Sequence, residues 1–391
     1  MEVLLTIAVC LTISFALSEL AHSMHYPRVL GQIAAGIIVS IPFIKSSILL
    51  PGSTTAIAFL AELGIVFLIL LVGMEIDYKR LKKASKEGIL VAIFGAIVPF
   101  GLGYLTMKLL GYDTIAAVVL GAALSITAPG TSIRLLMELK KLKTRMGEIL
   151  IEAAIIDDLL AAVFLSLLLV IVHSSSAIGI AMFPIRIIIF ILIAIVLFKL
   201  IPKLVTSIQK EKSEIGDFTT SIILALFIAV IAQVFGLGLV IGAFIAGLIL
   251  QISMRKDKKE ERKIVNDLKV ISFGFIVPFF FIHLGLNLDL ASIISNWHIF
   301  VLIMIMAICG KLIGAMILKL FSKLSLKQTA LIGWGMNSRG AVELVIAEVA
   351  RLNGLIPIEI YSIIIAMALI TTFIFPFVLE RTLKKSPHIM E

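Results

Sequence analysis

Charge is scarce in this sequence. Only 15% of its 391 residues are Asp, Glu, Lys or Arg, where a soluble domain carries about a quarter. Some 60% are hydrophobic and the mean hydropathy is +1.15. This deficit excludes an ordinary soluble domain and identifies an integral membrane protein. Cysteine is nearly absent. Cys10 and Cys309 fall in apolar runs without ligand spacing around them, so they read as small core hydrophobes and carry no redox information. The first stretch, MEVLLTIAVCLTISFALSEL, lacks a basic region ahead of its apolar run, so a first span is expected rather than a cleaved signal. The net charge of +9 does not indicate a nucleic-acid partner. Its cations sit in short loops between apolar runs, with no aromatics interleaved as on a base-stacking platform.

What is present is a succession of long apolar runs. Thirteen can be counted, at roughly 3–22, 28–47, 55–76, 88–110, 114–138, 146–173, 181–201, 217–235, 237–254, 264–288, 295–321, 328–350 and 355–380. Each has about 20 residues, enough to span a bilayer as a helix. The eighth and ninth are separated only at Phe235–Gly238. Basic loops follow the odd-numbered runs: Tyr78–Lys83, Lys140–Arg145, Lys203 with Lys210 and Lys212, Arg255–Lys259, Lys323 with Lys327, and Arg381 with Lys384 and Lys385. Loops after the even-numbered runs are nearly free of Lys and Arg, with Arg351 the exception. This alternation predicts a multi-pass protein of the cell membrane, its N-terminus outside and its C-terminus in the cytoplasm.

The sixth run contains Glu152–Ala153–Ala154–Ile155–Ile156–Asp157–Asp158–Leu159–Leu160. Carboxylates within a span are costly and face protein or a water-filled cavity. A soluble core helix with solvated carboxylates would fit one such run but not their recurrence. The adjacent aspartates therefore point to a cation or proton site.

The chain also repeats itself. Gly31–Gln32–Ile33–Ala34–Ala35–Gly36 resembles Gly242–Ala243–Phe244–Ile245–Ala246–Gly247, an offset of 211 (242 − 31). Gly73–Met74–Glu75–Ile76–Asp77 resembles Gly285–Leu286–Asn287–Leu288–Asp289, and Gly121 falls on Gly333, both at an offset of 212 (285 − 73; 333 − 121). A shift of seven spans is odd, so the second copy is expected to be inverted in the membrane. Such repeats accompany interrupted helices and a site near the midplane in transporters. Candidate interruptions are Ser125–Ile126–Thr127–Ala128–Pro129–Gly130–Thr131–Ser132 and, at the same offset, Asn337–Ser338–Arg339–Gly340–Ala341–Val342–Glu343. The first is either a true break or a proline kink healed by hydroxyls. In the second, Arg339 and Glu343 would compensate freed carbonyls and helix dipoles.

Lys311 stands about ten residues from the nearest end of its run, too far to snorkel easily, and requires a carboxylate partner or the loss of its proton. A structural salt bridge and a transport role are compatible. His283 reads as a hydrogen-bonded packing residue. Glu62 fits either a gate or a simple hydrogen bond. Asp77 and Asp289 read as interfacial helix ends, and Lys256–Lys263 as a solvated loop touching anionic lipid.

Together the Asp157–Asp158 pair, Thr127 with Pro129, Lys311 in a Gly–Lys helix, Asn337–Ser338–Arg339–Gly340 and the Gly31 and Gly73 motifs resemble the sodium/proton antiporters of the monovalent cation–proton antiporter superfamily, most closely its two-aspartate bacterial and archaeal branch. The resemblance covers nearly the whole chain. It implies an all-α membrane fold of about thirteen helices in two inverted six-helix repeats, with crossed, interrupted helices. It also implies a homodimer with scaffold parts at 1–54 and 174–263 and transport parts at 55–173 and 264–391. Asp158 would bind Na⁺ with Thr127 nearby, and Asp157 would pair with Lys311. The implied activity is electrogenic exchange of Na⁺ or Li⁺ for H⁺, without catalytic residues or cofactor. K⁺/H⁺ exchange, an ion channel using the same buried charges, and organic-anion symport are the alternatives; the adjacent carboxylates disfavour an anionic substrate. Ala128 departs from the family, in which many members carry aspartate after the threonine. The chain ends soon after Lys385, without the nucleotide-binding tail of related potassium-efflux proteins, which weakens the potassium reading.

Overall fold

In a computed structural model the described parts of these apolar runs are largely helical. The structure describes residues 2–24, 26–76, 84–127, 132–133, 136–137, 141–173, 185, 188–197, 199–200, 214–254 and 258–385, and no strand occurs among them. The first four helices are α1 (Glu2–Ser23), α2 (Arg28–Ser40), α3 (Pro42–Ile48) and α4 (Ser53–Glu75). Then come α5 (Lys86–Leu109), α6 (Thr114–Ser125), α7 (Arg145–His173) and α8 (Ile188–Leu197). The second half has α9 (Glu214–Val234), α10 (Leu239–Met254), α11 (Lys258–Ile271), α12 (Val277–Leu286) and the short α13 (Leu290–Ser295). It ends with α14 (Trp297–Ile317), α15 (Leu326–Gly335), α16 (Ala341–Leu352) and α17 (Ile358–Lys385). Among the described residues six helical stretches are long and apolar enough to cross a membrane, with shorter apolar helices beside them. The protein is a multi-pass, all-helical membrane protein.

The helix ends follow local chemistry. Asp113, Ser325 and Asp289 cap α6, α15 and α13 by accepting backbone N–H groups. Hydrogen bonds from Ser292 also hold the Asp289 carboxyl below the usual carboxylate range. Between α9 and α10 the chain turns at Gly236 and Gly238, at φ 71° and 81°, a region that favours glycine. The run expected as one span at 28–47 is instead bent by 92° between α2 and α3. Pro42 opens α3 and cannot donate to a continuing helix, and Ile41 before it is extended (φ −58°, ψ 127°). The tenth run carries a π-turn, Ser272–Ile276, between α11 and α12.

By packing the chain groups into two compact units. One comprises residues 1–20, 31–76 and 165–286, the other 21–30, 77–164 and 287–391. Within the first unit α4 packs on α10 and α12. The approaches are close: a Cβ on Gly36 would stand 2.8 Å from Gly285 Cα, and one on Gly247 would stand 3.0 Å from Gly73 Cα. Within the second unit α5 packs against α6 and α14, α14 against α15, and α16 against α6 and α17.

Candidate functional site

The second unit contains every candidate site residue. Its organising feature is the end of α6. Ser125 is the last helical residue, and Ile126 leaves the helix at φ −81°, ψ 145°. A helix that stops leaves four carbonyls without intrahelical donors and the equivalent of about −0.5 charge. Inside a membrane these groups require partners from the protein. Ala122 O accepts from Ser125 Oγ at 2.8 Å. Ala123 O and Leu124 O accept from Arg339 Nη1 at 3.0 and 2.6 Å, and Ile126 O beyond them at 2.8 Å. Ser125 O accepts from Lys311 Nζ. Two buried cations thus occupy the negative end of α6.

The twelfth run is two helices, α15 and α16, separated at Met336–Gly340. Here the freed carbonyls take neutral donors. Ile332 O accepts from Met336 N at 2.9 Å and Trp334 O from Asn337 N at 3.2 Å. Gly333 O accepts from Asn337 Nδ2 at 3.1 Å, and Gly335 O from Ser132 Oγ at 2.7 Å. Ser132 links the far side of the first break to the second. Arg339 O accepts from Thr372 Oγ1 at 2.8 Å, which ties the start of α16 to α17. Glu343 lies in the first turn of α16, at the positive helix end, with Oε2 3.9 Å from Arg339 Nη1.

Asp157 is buried on α7. Its Oδ2 accepts from the Thr127 backbone N–H at 2.7 Å, and its Oδ1 lies 3.4 Å from Lys311 Nζ. Lys311 is fully buried on α14, beside Gly310. Asp158 is the next residue on α7, turned about 100° away, and is partly exposed. The structure therefore brings Asp157, Thr127, Lys311, Arg339 and Glu343 together around the two breaks. Ala128, Pro129, Gly130 and Thr131, which supplied much of the expectation of a break, lie outside the described residues, as do Asp77, Tyr78–Lys83 and Arg255–Asp257.

Several other residues fall away from this centre. Glu62 is exposed on α4 and His283 is half-buried on α12, both in the other unit. Arg351, the cation out of place in the loop pattern, is joined to buried Glu348 by two hydrogen bonds of 3.0 and 2.6 Å and lies 5.2 Å from the Tyr361 ring centroid. Sequence reasoning missed Ser132 and Thr372 as partners at the breaks. Hydroxyls in membrane helices commonly bond their own preceding turn, so nothing local marks these two as reaching elsewhere.

The family model described as "Sodium/hydrogen exchanger, transmembrane" matches residues 5–385. The Na(+)/H(+) antiporter of Enterococcus hirae is 29% identical over 375 residues, with 94% of each chain covered. The Na(+)/H(+)-K(+) antiporter GerN of Bacillus cereus is 26% identical over 384 residues, covering 97% of this chain and 96% of the relative. The structure of the sodium proton antiporter MjNhaP1 of Methanocaldococcus jannaschii shares the fold, with a TM-score of 0.70 at 16% identity over all of both chains. From residue 5 to residue 385, then, this chain is a member of the sodium/hydrogen exchanger family of transmembrane transporters.

Proposed function

We propose that this protein exchanges Na⁺, or Li⁺, for H⁺ across the cell membrane by alternating access, and that exchange is electrogenic. The observation that carries this is the charge arrangement in the second unit. Lys311 faces Asp157 and Arg339 faces Glu343, at 3.4 and 3.9 Å. Two cations and two carboxylates balance. Asp158 follows Asp157 on α7 and is partly exposed, a carboxylate at which a cation and a proton could each be held. A proton and a small hard cation compete for the same oxygens, and competition at one site couples their fluxes. In this reading Asp158 binds the ion with help from Thr127, Asp157 is held by Lys311, and Arg339 and Glu343 compensate the broken helices.

The same reading takes the chain as about thirteen spans in two inverted repeats, with the N-terminus outside. The close approaches support it. Gly36 meets Gly285, and the equivalents of these residues by the offsets of 211 and 212, Gly247 and Gly73, also meet. Gly121 approaches Phe100 O within 2.8 Å of an added Cβ, and its equivalent Gly333 approaches Leu312 Cα, 212 residues on from Phe100, within 3.0 Å. We place the transport part in 55–173 and 264–391 and the scaffold parts in 1–54 and 174–263. Apart from 21–30, the unit holding the site lies inside the transport spans. A homodimer through the early segments, as the resemblance implies, completes the reading. Full activity of a single 42.5 kDa chain reconstituted at high dilution would remove it.

Everted vesicles with a pH dye provide the test. Sodium or lithium added after a proton gradient is set should collapse it without an imposed potential. Collapse only with a matching potential would indicate a channel. Potassium exchange is the second reading, favoured by the name of the relative GerN, and collapse by potassium alone would establish it.

A further inference from the structure

We propose that Glu152 is a positioning residue for the Asp157–Lys311 pair and acts through α5; the inference rests on the exchange reading above. Glu152 precedes Asp157 by five residues on α7 and points about 140° away from it, so it does not face the ion. It faces the start of α5 instead. Its Oε2 accepts the Ser85 backbone N–H at 2.9 Å and the Ser85 hydroxyl. Ser85 is the N-cap of α5, and its Oγ accepts the Gly88 N–H at 3.1 Å. A capping box places its own Glu or Gln three residues after the cap. Here that position is Gly88, and the carboxylate comes from another helix. The glycine is needed for this, since a Cβ on Gly88 would stand 2.6 Å from Glu152 Oε2 and 2.7 Å from Glu152 Cβ. A second bond between the same helices, Arg145 to Glu87 at 3.0 Å, is more exposed and contributes less.

The other attachment of α5 is to α14. A Cβ on Gly310 would stand 2.8 Å from Pro99 Cα, and one on Gly314 would stand 2.9 Å from the Phe94 carbonyl carbon. These two glycines flank Lys311. Both partners of the buried pair are therefore fastened to one helix, Asp157 through Glu152 on α7 and Lys311 through Gly310 and Gly314 on α14. The pair itself stands at 3.4 Å, the edge of hydrogen-bond range, where a few tenths of an ångström decide whether a bond exists.

The test uses the full-length protein in proteoliposomes, with sodium KM and maximal rate measured for the wild type and three variants. Glu152→Ala removes both acceptor bonds. Gly88→Ala displaces Glu152 sterically without changing a charge. Both should raise the sodium KM about tenfold, as loss of an outer-shell partner does at ion sites, with a smaller change in maximal rate. Glu152→Gln keeps an oxygen for Ser85 and should restore a KM near the wild-type value. A wild-type KM in both Glu152→Ala and Gly88→Ala overturns the proposal. So does a Glu152→Gln variant as impaired as Glu152→Ala, which would mean that the charge matters rather than the bonds. Thermal unfolding gives an arm independent of transport: Glu152→Ala should lower the melting temperature less in a Lys311→Gln background than alone, and equal losses in both backgrounds overturn the proposal. Absence of any sodium-dependent exchange by the wild-type protein would instead refute the exchange reading.

Discussion

Replacing Lys311 by methionine removes the charge and keeps most of the volume. Lys311 is fully buried and Asp157 only 1% exposed, so neither is screened by solvent. Removing one partner of a buried ion pair leaves an uncompensated charge, at a cost of about 3–5 kcal/mol. The Ser125 carbonyl, which accepts from Lys311 Nζ, also loses its donor. Asp157 retains the Thr127 N–H at 2.7 Å, which keeps the loss within that range. In a protein this large each kcal/mol moves the melting temperature by about 2 °C, so Lys311→Met should melt roughly 5–10 °C lower. Lys311→Gln should lose less, because its amide can donate to the same oxygens. The decisive member is the double variant Asp157→Asn with Lys311→Met. It contains no unpaired charge and should be more stable than Lys311→Met alone, leaving a coupling of about 2 kcal/mol. Thermal unfolding of the four proteins in one detergent completes the cycle. A Lys311→Met protein that melts with the wild type, or losses that add, would refute the claim that these residues form one energetic unit.

Asp158→Asn should abolish exchange in a protein that still folds, because an amide neither carries the proton nor offsets the cation; wild-type exchange in vesicles would remove Asp158 from the site. Thr127→Ala should raise the apparent sodium constant with a smaller effect on maximal rate, and an unchanged constant would remove Thr127. Arg339→Leu leaves the α6 carbonyls of Ala123 and Leu124, and that of Ile126 beyond them, without this donor, each worth about 1–3 kcal/mol when buried, and should unfold well below Arg339→Lys, which keeps the charge; an Arg339→Leu protein that melts with the wild type would show that hydrogen bonding by the guanidinium is dispensable. Electrogenic exchange should give a transient current when sodium is applied to proteoliposomes on a solid-supported membrane, and sodium-driven exchange without current or response to potential would reject electrogenicity while leaving antiport intact.

The candidate site was legible where the signal lies in a single run. Asp157, Asp158, Lys311 and Arg339 stand out because a charge in apolar sequence requires compensation wherever it folds. The interruption at Asn337–Gly340 was visible in the same way, and α15 and α16 do end on either side of it. The identity of the compensating partners was not legible, because they are remote in sequence. Arg339 reaches Leu124 across 215 residues, and Glu152 reaches Ser85 across 67. Glu152 was visible as an anomalous carboxylate, but its acceptor role depends on Gly88 admitting it, a condition set by the packing of two helices. The bend between α2 and α3 was available locally in Pro42, yet the apolar count across 28–47 obscured it, since hydropathy measures length and not direction.

The two halves of the chain share approaches between backbones but not chemistry. An offset of 212 aligns Pro99 with Lys311, Ser125 with Asn337, Thr127 with Arg339 and Asp157 with Leu369. Both fixed cations therefore come from the second half, and both adjacent aspartates from the first. The consequence appears at the helix ends. The α15 terminus is closed by backbone, amide and hydroxyl donors, whereas the α6 terminus is closed by Lys311 and Arg339. An open α6 terminus would itself attract cations through its half-charge of about −0.5, in competition with any carboxylate nearby. Filling it with immobile cations removes that competitor. On the proposed reading a mobile positive charge entering the unit is then held at Asp158, where sodium and proton exclude one another.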